Sequence, residues 1–132
     1  MNEISKNQYT IALDAMSGDH GPEVVVRAAK KSLDKHKNLS VIFFGKKEMI
    51  GGLCSSIIGD SSRISIVDTK DVIEMSDSPV DSIRNKKDSS MRIAIDHVKN
   101  NQAHAVVSAG NTGALMATAK FVLKMLPGIS RP

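Results

Sequence analysis

Four short apolar runs, each closed by a polar or glycine-bearing turn and followed by helix-spaced residues, constrain this chain most. They are Ile11 to Leu13 within TIALDAM, then LSVIFFG, RISIVDT and AHAVVSAG. Apolar runs with little polar alternation suit strands covered on both faces. Strands that alternate with helices form parallel sheets. The expected fold is therefore α/β: a three-layer α/β/α sandwich with a mostly parallel sheet.

The intervening segments read as helices. HGPEVVVRAAKKSLDKH places Pro22 at a first helical position, with Val25, Ala28, Ala29 and Ser32/Leu33 at helical spacing. A helix over Lys47–Ile57 is opposed by Gly51-Gly52. The longest connection, residues 69–102, holds two helix starts. One is Ser78-Pro79; the other is capped by Asp88 or Ser89 and followed by an apolar stripe of Met91, Ala94, Ile95 and Val98. The last helix, Asn111 to about Leu126, is apolar nearly all round, as expected of a central or interface helix. Residues 1–9 read as a flexible N-terminus. Residues 10–132 read as the N-terminal part of a single α/β/α domain, truncated, whose four-stranded open sheet leaves edges to cover.

Composition narrows the function classes. A length of 132 residues allows one domain. The net charge of +4 suits anionic ligands but is too diffuse to argue for nucleic acid. With 3% aromatics and no Trp, a base-stacking platform is not expected. Cys54 is the only cysteine, which excludes an internal disulfide and a CxxC metal pattern and makes a reducing cytosol the default. No base adjoins it in sequence, so it is not read as a nucleophile. His36, His97 and His104 read as surface residues and the seven Met as core filling. No apolar run reaches membrane-spanning length and no signal peptide is expected.

In open parallel sheets, ligands bind beyond the carboxyl ends of the strands. The unusual loops fall there: Asp14 to Gly21, Asp68 to Lys70 and Ser108 to Gly113. In SAGNTG, Gly110 and Gly113 let the backbone turn or approach a ligand, and Asn111 or Thr112 caps the helix. Free N–H groups at that helix start form an anion pocket, to which Ser108 adds a hydroxyl. The loop is neither a Walker A motif nor GxGxxG, and a plain capped turn is the alternative. In DAMSGDHGPE, Gly18 and Gly21 bracket Asp19 and His20. Asp14 and Asp19 either orient His20 or fix the loop. His20 binds an anion or moves a proton, or else only stabilises the turn. Two Asp and one His are no metal signature. In NKKDSSMR, Lys86, Lys87 and Arg92 flank Ser89 and Ser90 at another helix start, a second anion candidate or a solvated charge run with an ordinary cap.

Read together, ALDAMSGDHGPE, VIEMSDSPVDSIRNKKDSSMRIAI and AVVSAGNTGALMA are far more specific than any one alone. In this order they resemble the N-terminal part of the bacterial phosphate acyltransferases of the PlsX family, from about Thr10 to Pro132. Ser17 stands where that family usually has Gly. The resemblance implies an α/β/α sandwich similar to the isocitrate and isopropylmalate dehydrogenases. It implies conversion of acyl-acyl carrier protein and inorganic phosphate to acyl phosphate, in phospholipid biosynthesis. It also implies a cytoplasmic homodimer, with peripheral inner-membrane association through parts outside this chain. No metal, cofactor or nucleic acid is expected.

In this chemistry phosphate is itself the nucleophile. The expected phosphate site is the N–H groups of Ser108–Gly113, with Lys87, Ser89 or Ser90 as further donors; Asp14, Gly18, Asp19 and Gly21 are expected to complete it. His20 and Lys87 are the catalytic candidates, His20 orienting phosphate or passing a proton. The alternatives are an acyl-coenzyme A:phosphate acyltransferase of the phosphotransacetylase kind and a truncated anion-binding half without turnover.

Overall fold

The computed structural model describes residues 8–132. Its strands are β1 (Tyr9–Asp14), β2 (Leu39–Gly45), β3 (Ile64–Asp68) and β4 (Ala105–Val107). Its helices are α1 (Gly21–Lys35), α2 (Lys47–Ile57), α3 (Pro79–Asn85), α4 (Ser90–Lys99) and α5 (Thr112–Leu123). The sheet order is β3-β2-β1-β4, with every pairing parallel. The expected flexible N-terminus lies outside the described residues for positions 1–7. Tyr9, assigned to it, is instead the first residue of β1.

Strand alternation divides the core into two layers. Leu13, Val41, Phe43, Ile64 and Ile66 pack under Val26, Ala29 and Leu33 of α1 and Ile50 and Cys54 of α2. Ala12, Ile42, Phe44, Val67 and Val106 face the other way, against Ala94 of α4. α5 packs on α4, joining Ala114 and Val122 to Met91, Ile95 and Ile73. Phe43 and Phe44 are neighbours in sequence, buried on opposite faces. Each contributes about 1.5–3 kcal/mol by burial. α1 ends on a side chain rather than a glycine. The Arg63 guanidinium donates to the carbonyls of Leu33 at 3.0 Å, His36 at 2.9 Å and Leu39 at 3.1 Å.

Several details differ from the sequence reading. The buried stripe of α1 is Val26, Ala29 and Leu33, while Ala28 and Ser32 are exposed. α1 begins at Gly21, so Pro22 is its second residue. α2 forms through Gly51-Gly52 because Ile50 and Cys54 anchor it on the sheet. α5 stops at Leu123 rather than Leu126, since Lys124 turns to a positive φ of 68°. Met91 is the fully buried methionine among the described residues, whereas Met49, Met75 and Met116 are exposed. His97 is half-buried, with its ring 4.7 Å from that of Phe44 and Nδ1 3.0 Å from the Ile93 carbonyl. His104 is exposed, yet its Nδ1 accepts from the Thr10 amide at 3.0 Å. No helix of the described residues is long and apolar enough to cross a membrane.

Candidate functional site

The strand order reverses between β1 and β4. β1 has β2 on one side and β4 on the other. Such switch points open a crevice between the loops that leave the two strands, where open α/β sheets bind ligands. Here those loops are Asp14–Gly21 and Ser108–Asn111. The α3–α4 connection closes in from a third direction.

Asp14 ties the three together. Its carboxylate is fully buried. Oδ1 accepts from the Ser90 hydroxyl at 2.6 Å and the Met16 amide at 3.2 Å; Oδ2 accepts from the Ser108 hydroxyl at 2.8 Å. No cation pairs with it among the described residues. Buried carboxylates need such partners, and charge-assisted hydrogen bonds are the stronger kind. Ser90 and Ser108 therefore direct their hydroxyl protons inward, to Asp14. Ser108 Oγ also accepts from the Gly110 amide at 3.2 Å.

The loops also touch directly. A Cβ on Gly110 would lie 2.5 Å from Ser17 Cβ, so only glycine fits there. Gly18 has φ +112°, a region that L side chains rarely adopt, and rests against Ala109. These close approaches account for Gly18 and Gly110 without a ligand.

Asn111 caps α5, as one reading of the sequence had it. Its Oδ1 accepts from the Ala114 amide at 3.1 Å. Its Nδ2 faces the carbonyls of Asp77 at 2.8 Å, Glu74 at 3.2 Å and Met75 at 3.3 Å. The side chain is thus spent on fastening α5 to the segment before α3. The backbone amides of Thr112 and Gly113 have no hydrogen-bond partner among the described residues. Gly113 also passes close to Pro79.

Ser89, fully buried, caps α4 by accepting from the Arg92 amide at 3.1 Å. Lys87 is exposed and has no ion-pair partner among the described residues, while Lys86 is structural. Its ammonium donates to Asp77 at 2.6 Å and to the Val72 carbonyl at 2.9 Å. The Lys86 hydrogen bond, then the Glu74 amide, hold the Asp77 carboxyl below its ordinary range.

Asp19 and His20 are exposed at the start of α1, where Gly21 is the first helical residue. Neither Asp14 nor Asp19 hydrogen-bonds His20; of the two readings of these carboxylates, Asp14 takes the one that fixes the loop. His20 makes no capping bond. Cys54 is buried, which pushes its thiol up, as befits a packing residue. Among the described residues no three His, Cys, Asp or Glu side chains cluster as a metal site. The sequence reading missed Asp77 and took Lys86 for part of an anion site rather than for its partner. The acidic turn before Ser78-Pro79 was the available signal for Asp77.

Residues 9–132 match the family described as fatty acid synthesis protein. The chain belongs to that family. The phosphate acyltransferase of Halorhodospira halophila is 50% identical over 127 residues, covering 96% of this chain and 37% of the relative. That of Nitrosococcus oceani is 54% identical over 124 residues, covering 93% and 36%. That of Coxiella burnetii (strain Dugway 5J108-111) is 52% identical over 125 residues, with the same two shares. The chain thus spans little more than a third of the length of these relatives, and the span it shares with them includes all three loops of the site.

Proposed function

We propose that this chain carries the phosphate-binding part of a phosphate acyltransferase, which moves an acyl group from acyl carrier protein to inorganic phosphate. The observation that carries this reading is the pair of unpartnered amides, Thr112 and Gly113, at the start of α5 beside the switch point. The names of the relatives supply the reaction class. A phosphate oxygen attacks the thioester carbonyl and a C–O bond forms. The resulting oxyanion collapses with loss of the carrier thiolate, which takes up a proton. The protein's task is to hold phosphate beside the carbonyl and stabilise the oxyanion. Lys87, exposed and without a partner among the described residues, is the candidate cation for phosphate, and His20 the candidate to orient it or carry the proton. Since Asp14 takes the Ser90 and Ser108 hydroxyls, those serines position the loops, and the amides hold the anion. Asp14, Gly18, Asp19, Gly21, Ser89, Gly110 and Asn111 shape the surroundings.

The same reading places the protein in phospholipid biosynthesis, as a cytoplasmic homodimer at the inner membrane, with membrane contact through parts outside this chain.

Thr112→Pro tests the site. Proline is tolerated at a first helical position, and Asn111 at φ −59°, ψ 110° lies outside the α region that a following proline disfavours. The substitution removes one amide and keeps the helix. Titration calorimetry with inorganic phosphate is expected to show about tenfold weaker binding, with a smaller loss in Lys87→Ala. Unchanged affinity in both variants would remove phosphate from this helix start.

A further inference from the structure

Lys87 and the α5 amides come from different segments, so a site that uses both needs a means of fixing one against the other. Asp77 has the connections to do so. Its backbone carbonyl accepts from Asn111 Nδ2 at 2.8 Å, and Asn111 immediately precedes Thr112 and Gly113. Its carboxylate accepts from Lys86 Nζ at 2.6 Å, and Lys86 immediately precedes Lys87. The same Oδ2 accepts from the Glu74 amide at 2.8 Å, while the Asp77 amide donates to the Glu74 carbonyl at 3.1 Å, which closes the turn on itself. One residue thus links the segment that bears the cation to the segment that bears the amides.

Both ends of this link are braced. Asn111 Nδ2 also reaches the carbonyls of Glu74 and Met75, and Pro79 lies close to Gly113, so the turn meets α5 on either side of Thr112. At the other end, Lys86 also donates to the Val72 carbonyl at 2.9 Å, and the Asp88 carbonyl accepts from the Asp71 amide at 3.2 Å. Lys87 therefore lies between two held neighbours, with its own side chain exposed. The Lys86 and Asp77 side chains are 30% and 25% exposed, less open to solvent than the ion pairs along α1. Surface ion pairs contribute little stability, so the consequence of this one is geometric. Displacing a functional group by about 1 Å can cost about a hundredfold in rate.

We propose that Asp77 is a positioning residue that sets Lys87 against the Thr112 and Gly113 amides. It touches no substrate and acts through Lys86 on one side and Asn111 on the other. This role rests on the proposed phosphate site.

Asp77→Asn keeps the residue's size and its backbone carbonyl and removes the charge that holds Lys86. Lys86→Met cuts the same contact from the other side and keeps the aliphatic stem. Titration calorimetry with inorganic phosphate, on folded samples, is expected to show about threefold weaker binding in each, with no further loss in the double variant. A displaced cation loses at most what its removal loses, so neither effect should exceed that of Lys87→Ala. The deciding readout is a double-mutant cycle between Asp77→Asn and Lys87→Ala, since no hydrogen bond or ion pair joins Asp77 to Lys87 among the described residues. A residue that only stabilises the fold would lower phosphate affinity equally with and without Lys87. Positioning predicts that Asp77→Asn has almost no effect once Lys87 is alanine. Additive losses overturn the role, as does parent-like affinity in both Asp77→Asn and Lys86→Met. Either result, with binding still weakened in Thr112→Pro, leaves the phosphate site standing. If Thr112→Pro and Lys87→Ala both bind phosphate as the parent does, the site is refuted and the role of Asp77 with it.

Discussion

Asp14 draws its three partners from three separate segments, the Met16 amide from its own loop, Ser90 from the start of α4 and Ser108 from the end of β4. Replacing it by alanine leaves two buried or half-buried hydroxyls without an acceptor. An expected loss of about 2–4 kcal/mol follows, read as a lower urea midpoint with the slope unchanged. The sequence marked Asp14, Ser90 and Ser108 as site residues but not as one another's partners. Their separations, 94 residues for Asp14–Ser108 and 76 for Asp14–Ser90, leave no local signal. Asp77 offers a second residue-scale test. Its carboxyl is held low by Lys86, so its folded pKa lies below its unfolded one. The contact contributes fully above the ordinary Asp pKa of about 4 and is lost as pH falls through the lower folded value. An NMR titration of Asp77 is expected to find a midpoint below that ordinary value, rising toward it in Lys86→Ala.

At the scale of elements, caps and turn residues were the legible part. Ser78, Ser89 and Asn111 each accept from the amide three residues on, as their positions before helical patterns implied. Less legible were features set by distant packing. α2 holds together across two glycines because the sheet buries Ile50 and Cys54. The end of α1 is secured by Arg63, nearly thirty residues away, through three carbonyls. Arg63→Ala is expected to cost about 1–3 kcal/mol. Faster amide hydrogen exchange is expected at the last turn of α1, with the α4–α5 pair unaffected. Equal loosening of both regions would contradict a local capping role.

The whole molecule sets an all-parallel sheet between α1 and α2 on one face and α4 on the other, with its switch point between β1 and β4. Strand–helix alternation announced the layers, but the strand order came from packing. Only that order brings the loops of Asp14 and Ser108, remote in sequence, to one crevice. The central claim is that this crevice places phosphate for acyl transfer. The most direct measurement is a hydroxylamine trap on this chain, supplied with palmitoyl-acyl carrier protein and inorganic phosphate. The account predicts acyl hydroxamate above a no-phosphate control, reduced in Thr112→Pro. A folded sample that binds phosphate but forms no phosphate-dependent hydroxamate would contradict transfer by this chain and leave an anion-binding segment without turnover.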